Sequence, residues 1–146
     1  MKRILLFFVT TLLFSTCKKE DRVGDMKDPC ACYGDEVCTE QYVSLIIDLK
    51  DQYKEPIVLD EYYSTILETG EKINLQNAGL DSLRTKSGQY PIWEDKLLSL
   101  TGRCAKQIEF TGLQEGKEIV KKTFSIGHDC CHVKITLGDP NVIVPK

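Results

Sequence analysis

The chain has 146 residues, 42% of them apolar, and its 19 basic and 22 acidic side chains leave a formal net charge of −3. That size holds one domain with a leader, and a mildly acidic chain with no basic patch excludes nucleic acid as an expected partner. Seven cysteines in so short a chain point to an oxidising compartment unless they hold metal.

Residues 1–16, MKRILLFFVTTLLFST, have the three parts of a secretory signal peptide: Lys2 and Arg3, an apolar run over 4–14, then Ser15 and Thr16. The run is shorter than the about 20 residues that span a bilayer. A buried N-terminal strand or helix is the alternative, and two basic residues at the extreme start argue against it. Removing the leader takes away Lys2 and Arg3 and no acid, which leaves 17 basic against 22 acidic residues, net −5.

The order Phe14, Ser15, Thr16, Cys17 resembles the cleavage box of bacterial lipoprotein signal peptides. The resemblance implies cleavage before Cys17 and lipidation of Cys17 with a diacylglyceryl group and an amide-linked acyl chain such as palmitate. Several acyl chains hold a protein on a membrane where one does not. Lipidation also gives a reason for an odd seventh cysteine. Residues 17–29 then read as the lipidated cysteine and a flexible, charged linker. Within it, Lys19, Glu20 and Asp21 resemble the short sorting signal of some Gram-negative lipoproteins. That implies the outer membrane, at its periplasmic face or at the cell surface; an ordinary solvated linker is the competing account.

Residues 30–146 are expected to form the folded domain. Val43, Leu45, Ile47 and Leu49 alternate through a strand over 42–51. Further strands are expected over 57–67, 72–75, 89–93, 107–111, 118–126 and 131–137, with Pro91 marking an edge strand and Glu115-Gly116 a hairpin turn. In the last of them Val133, Ile135 and Leu137 are expected on the buried face, alternating with His132, Lys134 and Thr136. Residues 77–88 read as a polar loop, and 93–100 are open between helix and strand. Such a pattern predicts an all-β, antiparallel sandwich of about seven strands. The residues at 48–51, Pro56 and Gly88-Gln89-Tyr90 resemble those of immunoglobulin-like and transthyretin-like extracellular modules over 42–138. The resemblance implies a fold, not an activity.

The densest set of reactive side chains is His128, Cys130, Cys131 and His132. One reading makes them metal ligands, with Cys30 and Cys32 as further partners. Zinc sites, however, space paired cysteines by two to four residues, and here one residue separates Cys30 from Cys32 and none separates Cys130 from Cys131. Disulfides are the other reading, and adjacent Cys130 and Cys131 then take different partners. A cysteine nucleophile with His128 or His132 as base is excluded if the cysteines are oxidised. The chain has no phosphate loop, serine triad box or HExxH motif.

Tyr62, Tyr63, Tyr90 and Trp93 read as core or cross-strand aromatics rather than a sugar platform. The nearby Asp60, Glu61, Glu94 and Asp95 read as solvated strand ends.

An antiparallel run of the last three expected strands puts Cys104, Cys130 and Cys131 at one pole. Parallel first and last strands, as in immunoglobulin-like sandwiches, bring Cys30, Cys32 and Cys38 to the same pole. Pairing between the two groups is therefore expected, with the connectivity open, and with His128 and His132 as polar surface beside it. The expected function is a non-catalytic, membrane-anchored binding or scaffolding module with no cofactor, whose ligand is a protein or a carbohydrate. The alternative is a metal-binding module on His128, Cys130, Cys131 and His132.

Overall fold

The computed structural model describes residues 28–34, 36–76 and 85–145. The expected leader, the lipidation at Cys17 and residues 18–27 of the linker lie outside these, as does most of the polar loop 77–88. The described residues form eight strands: β1 Ser44–Asp51, β2 Glu61–Ile66, β3 Lys72–Ile73, β4 Gln89–Glu94, β5 Lys106–Gln114, β6 Lys117–His128, β7 Val133–Leu137 and β8 Asn141–Val144. They build a three-stranded sheet, β4-β1-β8, and a five-stranded sheet, β3-β2-β5-β6-β7. Every pairing is antiparallel except that of β1 with β8. The fold is all-β, with two sheets facing each other across one core.

The core follows from period-two alternation. Ile47 and Leu49 of β1 and Ile108 and Phe110 of β5 are wholly buried, as are Ile92 and Trp93 of β4. Tyr62, Tyr90 and Phe110 meet between the sheets with ring centroids 5.0 to 6.3 Å apart. Three of the four aromatics singled out in the sequence are therefore core; Tyr63 sits outside with Lys72 Nζ 4.4 Å from its ring centroid. The Ser64 hydroxyl donates to the Ile92 carbonyl across the sheets at 2.7 Å.

Three details differ from the sequence-based expectation, and the segment left open between helix and strand is resolved. Residues 57–60 are not part of β2. Instead the Tyr90 hydroxyl accepts from the Leu59 N–H and donates to the Ile57 carbonyl, both at 2.8 Å, so this segment crosses between the sheets with its buried backbone satisfied. Residues 95–100 are a 3₁₀ helix, Asp95–Leu100. A short strand after Pro140, β8, adds to the edge of the smaller sheet. Leu137 is 72% exposed, because a register shift pairs Ser125 with Leu137 directly after Ile126 with Ile135. That bulge turns Leu137 onto the outer face, alongside Ser125. Pro91 lies on an edge strand, β4.

The strands run between two poles. β1 and β7 begin, and β4 and β6 end, at the pole that receives the cysteines. The β5–β6 turn, the end of β1 and the end of β8 lie at the other.

Candidate functional site

The cysteine pole is built from the β6–β7 loop outward. His128 ends β6 and pairs with Val133, leaving residues 129–132 as the loop. Its backbone donors are taken up by local side chains. Asp129 Oδ1 accepts from the N–H groups of Cys131 and His132 at 3.0 and 2.8 Å, and His128 Nδ1 accepts from the Cys130 N–H at 3.0 Å. Acceptance at Nδ1 leaves a lone pair there and the ring proton on Nε2. The N–H groups of His132 and Cys131 hold the Asp129 carboxyl below the ordinary carboxylate pKa. Cys130 adopts φ +80°, a left-handed conformation rarely taken by a residue with a side chain.

Three cysteine pairs lie at disulfide distance: Cys30–Cys104, Cys32–Cys130 and Cys38–Cys131, with Cα separations of 5.0, 5.7 and 5.2 Å. Each joins one of Cys30, Cys32 and Cys38 to one of Cys104, Cys130 and Cys131, the cross-group pairing expected at a shared pole. Gly127 makes room for this: a Cβ there would sit 3.0 Å from the Gly102 carbonyl oxygen and 3.2 Å from Ala105, so the loop carrying Cys104 lies directly on β6.

The histidines do not serve as plain polar surface. His128 is buried, with Nδ1 3.9 Å from Cys32 Sγ. His132 is the centre of a chain of hydrogen bonds. Its Nδ1 is 2.8 Å from Asp95 Oδ2 and its Nε2 is 2.8 Å from Thr39 Oγ1. Asp95 also accepts from the N–H groups of Val43 and Val133 at 2.8 and 2.9 Å. One carboxylate therefore ties together the start of β1, the start of β7 and, through His132, the segment before β1. Burial favours the protonated Asp95, but His132 and the N–H groups of Val133 and Val43 outweigh it and hold the pKa below the ordinary value. The sequence reading that Asp95 is a solvated strand end is corrected. Its side chain is only 12% exposed, and the one local hint was an acidic residue opening a helical turn.

Hydroxyl, imidazole and carboxylate here have the order of a hydrolase triad, but geometry alone does not make one. A nucleophile also needs donors for an oxyanion and a cleft for substrate. A groove of about 530 Å³ between Ile57, Val58, Lys117, Ile119, Val144 and Pro145 lies at the opposite pole. At the cysteine pole the Thr39–His132–Asp95 chain latches residues 39–43 onto the start of β7.

The four ligands of the metal alternative do not come together. Cys130 and Cys131 face different partners, and His132 faces Asp95. The ligand atoms that do meet, all within 4.8 Å of one another, are those of Cys32, His128 and Cys130. With the two sulfurs joined, that cluster offers a single imidazole nitrogen rather than thiolates. Among the described residues no helix is long and apolar enough to cross a membrane. No family model matches the chain, and neither a curated protein nor a solved structure matches it.

Proposed function

We propose that this chain is a lipoprotein, anchored at Cys17 in the outer membrane, that carries a non-catalytic, immunoglobulin-like binding or scaffolding module. The observation that carries the reading is the placement of the bridges. All three fasten residues 30–38, which follow the linker directly, onto one pole. A chain entering there from an anchor meets a cross-linked base, and the groove at the other pole points away from the tether. Protein disulfides persist in extracytoplasmic compartments, which agrees with the leader at 1–16. The parallel pairing of β1 with β8 is in keeping with the immunoglobulin-like resemblance. The ligand classes are protein and carbohydrate.

The test is fractionation of cells making the wild-type and Cys17→Ser proteins. The wild type is expected with the membranes and the variant in the soluble fraction; a variant that stays with the membranes refutes the anchor. Metal analysis with a free-thiol count decides the second reading, for which Cys32, His128 and Cys130 offer the ligand atoms brought together once the Cys32–Cys130 bridge is reduced. Bound zinc together with free thiols supports metal binding and removes the stapled module.

A further inference from the structure

Every bridge has one exposed cysteine, Cys32, Cys38 or Cys104, so exposure does not rank them. Two features separate Cys32–Cys130 from the others. Cys130, with φ +80°, is the one cysteine among the described residues in the left-handed region, where a side chain strains the backbone. And the Nδ1 of buried His128 lies 3.9 Å from Cys32 Sγ. That nitrogen also accepts from the Cys130 N–H at 3.0 Å, so His128 touches both cysteines of this bridge, whereas His132, beside Cys131, is turned to Asp95 and Thr39. Strained or exposed bridges are the reducible ones, and a thiol beside an imidazole is the reactive one.

A third feature lets this bridge open without releasing the chain. Cys32 lies between Cys30 and Cys38, which are held to Cys104 and Cys131. Cys130 is next to Cys131 and closes the loop that β6 and β7 anchor. Breaking the middle bond leaves two thiols still facing each other, next to His128.

We infer that Cys32–Cys130 is a reversible thiol–disulfide exchange site for the dithiol of a partner protein. A partner thiolate attacks exposed Cys32 Sγ, forming a mixed disulfide. The Cys32–Cys130 bond breaks, and its electron pair leaves on Cys130 Sγ, which takes a proton from water. The partner's second thiolate then attacks the partner sulfur of the mixed disulfide. The electron pair leaves on Cys32 Sγ, which is protonated within reach of His128 Nδ1. The partner dithiol is oxidised by two electrons to a disulfide, and the bridge is reduced to two thiols. In the return direction His128 Nδ1 exchanges its hydrogen bond from the Cys130 N–H for the Cys32 proton, the Cys32 thiolate attacks a partner disulfide and releases one partner thiolate, and Cys130, its proton lost to water, attacks Cys32 Sγ and releases the second. The exchange is stoichiometric, so it adds a redox state to the module and does not depend on the anchor.

The experiment equilibrates the purified full chain with stepped dithiothreitol, traps thiols by alkylation after acid quench, and maps them by mass spectrometry. Cys32 and Cys130 are expected to be labelled together at a dithiothreitol concentration about tenfold below that which opens either other bridge. A common opening of all three bridges, or prior opening of Cys30–Cys104 or Cys38–Cys131, overturns the inference. Cys130→Ser with oxidised glutathione should trap the adduct on Cys32. In His128→Gln the inflection in the pH profile of Cys32 alkylation should move to higher pH, a change that a merely structural histidine would not cause. The reduction order is read on the wild type, so the decision stands even where a variant fails to fold.

Discussion

At the cysteine pole, residues 28–34 and 36–43 enter the domain without belonging to any strand. Val37 is 97% and Tyr42 58% exposed, and of the segment's apolar residues Val43, next to β1, packs against the core. The rest is held by three cross-links, the Thr39–His132–Asp95 chain and hydrogen bonds that include Arg103 to the Ala31 carbonyl and the Tyr42 hydroxyl to Glu94. At the distal pole the described β1–β2 and β5–β6 connections each join two strands, and side-chain hydrogen bonds close them. Asp51 Oδ1 accepts from the N–H groups of Tyr53 and Glu55, Asp60 accepts from the Glu115 N–H, and Tyr90 bonds both Ile57 and Leu59. Cross-links stand where a ladder is missing, and side-chain caps stand where the ladder only turns.

The largest test of that contrast removes one staple. Cys38→Ala together with Cys131→Ala is expected to lower stability by about 2–5 kcal/mol, read as the urea unfolding midpoint. The bridge closes a separation of 93 residues and seats Thr39 beside His132. A loss below about 0.5 kcal/mol would mean that the two remaining bridges and the polar latch hold the segment without this staple.

The next test strikes the distal pole. Tyr90→Phe keeps the ring among Tyr62 and Phe110 and removes only the hydroxyl. It orphans the N–H of Leu59 and the carbonyl of Ile57 in buried residues, which costs about 1–3 kcal/mol. The thiol count should stay unchanged, since the two poles share no bond.

A third test uses pH to probe the latch. The Asp95 and Asp129 pKa values are lowered in the fold, so their ionised forms bind the native state better than the unfolded one. Their contribution is complete above the unfolded value of about 3.9 and disappears as pH falls through the lower folded values. Stability should therefore drop on acidification below about pH 4–5. Asp95→Asn should flatten that acid limb, and adding Asp129→Asn should flatten it further. An unchanged slope in the double variant would exclude these carboxylates as its source.

Much of this contrast is readable in the sequence, for a physical reason. Alternation reports burial on one face, so Val43 to Leu49 place β1, and the order of strands along the chain brings Cys104, Cys130 and Cys131 to one end. Contacts between distant residues leave no such trace. Asp95 earns its place through His132 and Val133, far along the chain, and its own neighbours show nothing of that. Leu137 continues a perfect alternation, yet one bulged residue reverses its face. Val142, Ile143 and Val144 follow Pro140 too closely to show a period, and only the parallel edge of β1 makes them a strand. His128 looks like its neighbour His132 in sequence, but one ends β6 pointing into the fold and the other caps the latch.

The smallest expected effect has the opposite sign and separates the poles again. Glu115 and Gly116 form the β5–β6 turn with φ values of +52° and +72°, both left-handed, as a type I′ hairpin turn requires. Glycine adopts this freely, and asparagine tolerates it better than glutamate does. Glu115→Asn keeps the backbone N–H that Asp60 accepts, and the replaced side chain is exposed. It should raise stability by about 0.5 kcal/mol, an increase of roughly 2–4 °C in Tm. At the other pole Cys130 has a similar backbone, φ +80°, but no such relief is open to it, because any replacement also removes the bridge to Cys32. Strain at the distal turn can thus be relaxed by one substitution, whereas at the cysteine pole it is tied to the cross-link. A Tm that falls in Glu115→Asn would show that the Glu115 side chain, not the backbone, governs the distal turn.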